Sequence, residues 1–321
     1  MPFVKTGRTD LRAVSINPKE HAKKAQGYLR KAKHVGAMAT SAYPGASVLH
    51  TKQEVKLVTL AAEHFRIAGE QQWIHSAQAY AQAAALASGA MMDSRQSAEL
   101  YAEAAMVMEK LDTDFANEYY RKSISQHCDA SQYKEAAILQ ERMAFNHYQK
   151  KNIESSLDEY ERATKLYSAA GMNDSADQTN DRIAYLLGKG GRVRESAFRY
   201  YRNAINQSNQ NLKKFNVPQA MLRAGLLLLS DCLRQSSSEL DFSEVREMVE
   251  HMYAMDCRFE ESREHAFLSD MMECSIQGDQ DRFADCVYWF SSVCEFDDLM
   301  LDALGDIKNV VTERSEKNKT T

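Results

Sequence analysis

Aromatic and small residues return at a fixed interval through the first two-thirds of the chain. Tyr80, Tyr120, Tyr160 and Tyr200 stand 40 residues apart. Four residues before each lies Ser76, Ala116, Ser156 or Ser196, and three residues after each lies Ala83, Ser123, Ala163 or Asn203. Positions i, i+4 and i+7 share one face of a helix, so each copy presents an aromatic ring between two small side chains. A small residue lets a neighbouring helix approach, and the ring fills the groove beside it. A second helix precedes each copy, with Phe65, Ala105, Phe145 and Tyr185 in the same register and Ala104, Ala144 and Ala184 beside them. Each unit is therefore expected to be a helical hairpin that buries its apolar face only by stacking on the next.

The flanking segments complete the expectation. Asn17 and Pro18 open a first helix over residues 19–35, Asn17 as its cap and Pro18 at the first helical position. Residues 36–53, rich in small side chains and broken by Pro44-Gly45, read as a loop, and the array starts near Glu54. Turns are expected at Ala68–Glu70, Ser88-Gly89, Leu111–Asp114, Lys150–Asn152, Ala170-Gly171 and Gly188–Gly191. The register weakens after Asn206. Pro218 then opens a helix whose apolar run reads as buried on most sides, and 241–255 forms an amphipathic one. Three further helical patterns cover 263–277, 279–293 and 297–311, and include the large aromatics Trp289 and Phe290. The expected fold is all-α: a right-handed twisted array of antiparallel helical hairpins, a TPR-like solenoid with a 40-residue repeat, capped by a C-terminal helical bundle. Its expected parts are a disordered N-terminus over 1–16, the array over 17–255, the bundle over 256–313 and a disordered tail over 314–321.

Composition agrees with an all-helical chain: 44% apolar and 26% charged residues, with four prolines and 13 glycines. No run approaches the roughly 18 apolar residues of a membrane span, and the first residues lack the apolar core of a secretory signal. Six cysteines are scattered without a CxxC pair, so neither a zinc site nor a disulfide framework is indicated. The cytoplasm is the expected compartment. Charge is uneven along the chain. Residues 1–35 carry nine Lys and Arg against two acids, and 189–214 are basic through Lys189, Arg192, Arg194, Arg199, Arg202, Lys213 and Lys214. From 236 to 313 the balance reverses, with twenty acids against five bases. Such a distribution steers acidic partners to one part and basic partners to another.

Motifs for chemistry are missing. Gly188-x-Gly190-Gly191 is followed by no GK[ST] and preceded by no strand, so it reads as a helix–helix turn rather than a phosphate loop. Asp297, Asp298 and Asp302 are expected near a helix start, where acids suit the macrodipole, and no second acidic cluster faces them. The nine histidines form no HExxH. Aromatics among the basic residues 189–214 are too few, and too committed to the repeat, for base stacking, so no nucleic acid is expected. Neither a cofactor, a metal nor catalysis is expected.

Three runs carry a resemblance to a known family: AEHFRIAGEQQWIHSAQAYAQAAAL (62–86), AELYAEAAMVMEKLDTDFANEYYRKSI (98–124) and YLLGKGGRVRESAFRYYRNAI (185–205). They look like the soluble NSF attachment proteins, SNAPs, over roughly residues 55–310. AYAQAA, LYAEAAMVMEKL and LLGKGGRVRESA lean toward the gamma-type branch. The resemblance implies an adaptor that binds the SNARE four-helix bundle along a partly basic face and recruits the hexameric ATPase NSF through an acidic C-terminal end. Vesicle fusion and intracellular transport would be its setting, with transient, peripheral membrane association. ATP hydrolysis belongs to NSF in that family, so the adaptor needs no catalytic residue.

Carried over position by position, Lys110 and Arg182 match basic SNARE-facing positions, whereas two further family lysines fall on Ile138 and Gln178. Lys134, Arg142, Lys165, Lys189, Arg192 and Arg194 are the charges that would compensate. Asp241, Arg263 and Glu273 match NSF-facing positions, whereas two further acids fall on Ile276 and Gln277. The family's phenylalanine-rich membrane loop is replaced by Tyr43, Val48 and Leu49, and the terminal EKNKTT lacks the acids and leucine tied to ATPase stimulation. Two other readings compete: a general helical-repeat scaffold that holds a peptide or a subunit of another assembly, and an all-helical enzyme using the acids near Asp297.

Overall fold

The computed structural model describes residues 17–41, 44–208, 217–235 and 241–320. Among these residues the regular elements are all helical: α1 (Pro18–Ser41), α2 (Pro44–Ile67), α3 (Trp73–Ala90), α4 (Ser94–Met108), α5 (Thr113–Asp129), α6 (Tyr133–Gln149), α7 (Ile153–Ala169), α8 (Asn173–Lys189), α9 (Val193–Ser208), α10 (Val217–Gln235), α11 (Ser243–Met255), α12 (Arg263–Gln277), α13 (Gln280–Ser291) and α14 (Asp298–Thr320). Two short 3₁₀ turns precede α3 and α12. Residues 1–16, where disorder was expected, lie outside the described residues, as do Tyr43, Lys213 and Lys214.

The 40-residue period is two helix-and-turn steps of 20. Helices α5 to α9 begin at 113, 133, 153, 173 and 193. Each connecting turn has the same construction: one residue is left-handed, with φ of 57° at Ser131, 58° at Lys151, 71° at Gly171 and 82° at Gly191. The following amide closes onto a carbonyl five residues back, Gln132 onto His127 at 2.8 Å, Asn152 onto His147 at 3.0 Å, and Met172 onto Tyr167 and Arg192 onto Leu187 at 2.9 Å. This Schellman closure satisfies the last carbonyls of each helix and reverses the chain within three residues. Glycine takes the left-handed conformation at no steric cost, whereas Ser131 and Lys151 adopt it under strain.

All twelve side chains of the repeat columns are buried, from Ser76, Tyr80 and Ala83 to Ser196, Tyr200 and Asn203. Three of the four serines in these columns donate to a neighbouring helix: Ser76 to the Ala62 carbonyl at 2.8 Å, Ser123 to Ala98 at 2.7 Å and Ser196 to Ala184 at 2.6 Å. On the preceding helices Ala104, Ala144 and Ala184 are fully buried. The aromatic register beside them does not behave uniformly: Phe65 is buried, Tyr185 half-buried and Phe145 49% exposed. The alanines decide the packing, because they let the helices approach too closely for a ring between them.

The chain divides into two compact units, residues 1–146 and 147–321. In the first, an alanine-rich core (Ala77, Ala83, Ala84, Ala87, Ala104, Ala105) closes around Tyr80, Tyr120 and Met143. Expected to be a loop, residues 36–53 are helical apart from the undescribed 42–43. The small side chains that suggested a loop instead allow close pairing of α1 with α2: Ala39, Thr51 and Val55 are buried, and a Cβ on Gly36 would overlap the Glu54 carboxylate. Likewise Ser88-Gly89 lies inside α3, and the turn comes at Met91–Asp93, where the Asp93 carboxylate caps α4 through the Gln96 amide at 2.9 Å.

In the second unit α10 is buried along almost its whole length, from Val217 to Leu233, as its apolar run predicts. Helices α9, α11, α12 and α14 surround it. The boundary expected after Met255 falls inside this core, since Leu268 and Met271 of α12 and Met300, Leu304 and Ile307 of α14 share it with Leu226 and Leu229 of α10. Phe290 stacks on Phe267 at 4.3 Å between centroids, but Trp289 faces outward. The expected disordered tail after 313 is helical to Thr320. Two polar side chains hold it, because Arg314 and Asn318 donate to the otherwise open carbonyls of Ile276 and Gln277 at the end of α12, at 2.9 and 3.0 Å.

Candidate functional site

Lys110, Lys134, Lys165 and Arg182 are all exposed. Lys110 lies 5.1 Å above the Trp73 ring, whose indole N–H donates to the Arg66 carbonyl, so its stem is ordered while its charge faces water. Arg142 is differently placed. Its guanidinium grips the Glu109 carboxylate at 2.5 and 3.0 Å, the Tyr120 hydroxyl donates to the same carboxylate at 3.3 Å, and Arg142 covers the Tyr120 ring at 5.9 Å. Burial, followed by the Glu109 charge, raises the Tyr120 hydroxyl far above the ordinary tyrosine value, so it stays protonated and donating. This cluster joins the end of α4, the middle of α5 and α6, and makes Arg142 a clamp of the scaffold.

The basic stretch 189–202 is also changed by folding. Along the sequence only Glu195 opposes it, whereas in space each of four cations meets an acid. Lys189 binds Asp302 at 3.0 Å, and Arg192 binds Glu195 at 2.6 Å and Glu154 at 3.5 Å. Arg194 binds Glu244 and, at 3.5 Å, Asp231, while Arg199 binds Glu161 at 2.8 Å. Hydrogen bonding to Arg192 holds the Glu195 carboxyl below its usual value. The result is a cleft of about 440 Å³ with mixed charge, lined by Arg192, Arg199 and Arg202 against Glu154, Asp158 and Glu161. Ile138 and Gln178, where the resemblance expects lysines, are exposed.

On the acidic side Asp241, Arg263 and Glu273 are exposed, each already engaged. Asp241 accepts from the Ser243 amide at 2.8 Å at the start of α11, and that backbone bond holds its carboxyl below the ordinary range. Arg263 lies 3.1 Å from Glu264, and Glu273 lies 2.8 Å from Arg282, which also binds Asp270 at 2.7 Å. Ile276 is exposed beside Glu273, and Gln277 donates to the Glu273 carboxylate at 2.9 Å. Asp297 and Asp302 are spent on structure: Asp297 caps α14 through the Met300 amide and pairs with Arg223 at 2.6 Å. Among the described residues no three His, Cys, Asp or Glu side chains converge as a metal site. Val48 and Leu49, expected in a membrane-facing loop, are exposed on the first turns of α2. No described helix is long and apolar enough to cross a membrane.

The ion pairs were out of reach of spacing arguments, because Lys189 and Asp302, or Arg194 and Glu244, are joined only by packing. The Glu109–Arg142 clamp had one signal, a Glu and an Arg on the edges of adjacent hairpins that share a buried tyrosine.

Comparison with known proteins places this scaffold. The family model described as "Soluble NSF attachment protein, SNAP" matches residues 17–312. The chain is similar to the probable vesicular-fusion protein sec17 homolog of Schizosaccharomyces pombe, at 25% identity over 165 residues, which are 51% of this chain and 54% of that protein. It thus spans about half the length of the curated relative it matches. Among solved structures, BtubC (BKLC) from P. vanneervenii aligns with 78% of this chain and 91% of its own at 12% identity and a TM-score of 0.38. A de novo designed helical repeat protein, DHR64, aligns with 76% and 98% at 15% identity and a TM-score of 0.16. The family match begins just before α1 and ends within α14, and the chain belongs to the soluble NSF attachment protein family.

Proposed function

We propose that the chain is an adaptor that binds assembled SNARE complexes and recruits the ATPase NSF for their disassembly, working in the cytoplasm and peripherally on vesicle or organelle membranes. The observation that carries this reading is the family match across residues 17–312, with the likeness to a vesicular-fusion protein beside it. Hydrolysis belongs to the ATPase in this reading, and the chain supplies binding surfaces. The lean toward the gamma-type branch is part of the same proposal. Exposed Lys110, Lys134 and Lys165 are the first candidates for the SNARE face, with Arg182 beside them as a position that matches a basic one of the family. Arg142, Lys189, Arg192 and Arg194 contribute less, since each would exchange an internal carboxylate for one on the partner. Asp241, Arg263 and Glu273 are proposed for the ATPase-facing end.

Pull-down with assembled SNARE complex, followed by NSF in its ATP state, tests the reading. Exposed ion pairs contribute roughly 0.2–1 kcal/mol each and are screened by salt, so single changes should be mild. The triple reversal Lys110→Glu, Lys134→Glu, Arg182→Glu should abolish SNARE binding, and binding indifferent to ionic strength would exclude the electrostatic face. At the other end Asp241→Asn keeps an acceptor for the Ser243 amide while removing the charge. Combined with Glu273→Gln, it should weaken NSF recruitment and leave SNARE binding intact. The opposite pattern would mean that the two surfaces are assigned the wrong way round.

A further inference from the structure

Between α13 and α14 lies an apolar groove of about 630 Å³ that the adaptor reading leaves unused. Phe283 and Val287 of α13 face Leu301 and Leu304 of α14 across it, and Tyr288 stands at its edge. Tyr288 is 70% exposed, and Trp289, packed edge-on to it with centroids 5.8 Å apart, is 69% exposed. Leu301 and Val293 are also exposed. The core already takes Phe283 and Phe290 from the same helix, so the outward pair is presented rather than left over. An exposed aromatic pair beside an apolar groove marks a surface that becomes covered.

Gly305 supplies a second, independent observation. It is exposed in the middle of α14, lines the groove, and a Cβ added to it would meet nothing within 4 Å. Glycine is disfavoured in a helix interior relative to alanine. Gly225 and Gly188 have an internal reason, since a Cβ there would overlap Leu268 or Leu299. Gly305, like Gly27 and Gly89, has none among the described residues, but of these three it is the one that lines this groove. Bare backbone on a groove floor permits the close approach of another backbone, and Ala284 lines the same groove from the facing helix.

Charge selects the occupant. Asp281 and Asp285 lie one turn apart on α13, on the face that continues to Tyr288 and Trp289. Asp281 lines the groove on the α13 side, with exposed Asp285 beside the lining on the same helix, and Lys308 lines it on the α14 side. An acidic wall repels an anionic lipid surface and favours a cationic flank. We propose that the α13–α14 groove receives an amphipathic helix of a protein partner, its apolar stripe over Gly305 and Ala284 and its basic flank against Asp281 and Asp285. This does not depend on the adaptor reading.

The chain has two tryptophans, so in a Trp73→Phe background Trp289 alone reports emission. The full-length variant is titrated with a synthetic helical peptide that repeats leucine at i, i+3, i+4 and i+7 with lysines on both flanks, and with its glutamate-flanked counterpart. The lysine peptide should shift Trp289 emission to the blue and shield it from acrylamide, saturably. The glutamate peptide should bind about tenfold more weakly, the worth of two exposed charge pairs. The double change Asp281→Lys, Asp285→Lys should invert that preference. Gly305→Leu should abolish the response while helical content and melting temperature are not lowered. Equal response to the two peptides, a response that survives Gly305→Leu, or no saturable response would overturn the proposal. So would a blue shift on anionic phospholipid vesicles but not on peptide, which would assign the patch to a lipid surface. A shift that follows protein concentration, with a matching rise in sedimenting mass, would assign it to a second copy of the chain.

Discussion

Adding one methyl at Gly225 tests the core of the second unit, because two effects of opposite sign meet there. In an open helix Gly→Ala stabilises by about 1 kcal/mol. Gly225 is buried in α10 against α12, and a Cβ at this position would lie 2.4, 3.1 and 3.4 Å from Leu268 Cδ2, Cδ1 and Cγ. The room left to Leu268 decides the sign. Both of its methyls are too close while Cγ is in ordinary contact, and because Leu268 is fully buried it has little space to swing both methyls clear. Forcing a methyl into such a core costs about 1–3 kcal/mol, which cancels or outweighs the propensity gain and leaves Gly225→Ala destabilised by roughly 0–2 kcal/mol. Urea unfolding followed by circular dichroism should show a lower midpoint with an unchanged slope. Leu268→Ala alone should cost about 2–5 kcal/mol through the cavity it opens. The double variant should be less destabilised than the sum of the two by about 0.5–3 kcal/mol, because the new methyl fills part of that cavity and the helix gains its alanine. Gly305→Ala, with open space around its Cβ, should raise stability by about 1 kcal/mol. A Gly225→Ala stabilised by the about 1 kcal/mol of an open helix site, or strict additivity with Leu268→Ala, would refute the α10–α12 contact as described.

Three further outcomes are expected. Tyr160→Ala should cost about 3–5 kcal/mol as a buried ring; Glu161→Ala, which loses only the Arg199 pair, should cost about 0.2–1 kcal/mol, and equal costs in urea melts would mean the 40-residue register is wrong. At the left-handed turn positions Lys151→Gly should stabilise, and Gly191→Ala destabilise, by about 1 kcal/mol each in thermal melts. Burial, and then the neighbouring His21 at 2.9 Å, lower the His64 pKa in the folded state. The stability that this neutral imidazole lends is present above the unfolded value of about 6.5 and is lost as pH falls through the lower folded value. Hydrogen-exchange protection factors in α1 and α2, taken relative to the intrinsic amide rate at each pH, should therefore fall from pH 7.5 toward 5.5 (about one unit either side of the unfolded value), and His64→Gln should remove that dependence.

The periodic part of the fold was written in the chain, because a helix converts spacing directly into a face. The columns at Ser76, Tyr80 and Ala83 and their three later copies are local patterns, and all of them proved buried. The long apolar run of α10 announced its burial for the same reason. Signals that depend on a neighbour were not legible. Residues 36–53 carry loop-like composition, yet those described among them are helical because α1 and α2 lie close enough to need small side chains. The terminal SEKNKT is polar, and it is helical because Arg314 and Asn318 reach carbonyls some forty residues back in the sequence. Phe145 shares a register with buried Phe65 and is nevertheless exposed, since the cover over each position comes from another helix. The basic run at 189–202 read as one positive surface, whereas folding brings Asp302, Glu244, Glu154 and Glu161 onto it. Spacing along the chain thus determined which residues turn inward. Which charges stay open to a partner was decided only when distant helices met, because a Coulomb contact depends on distance in space and carries no trace in the order of residues.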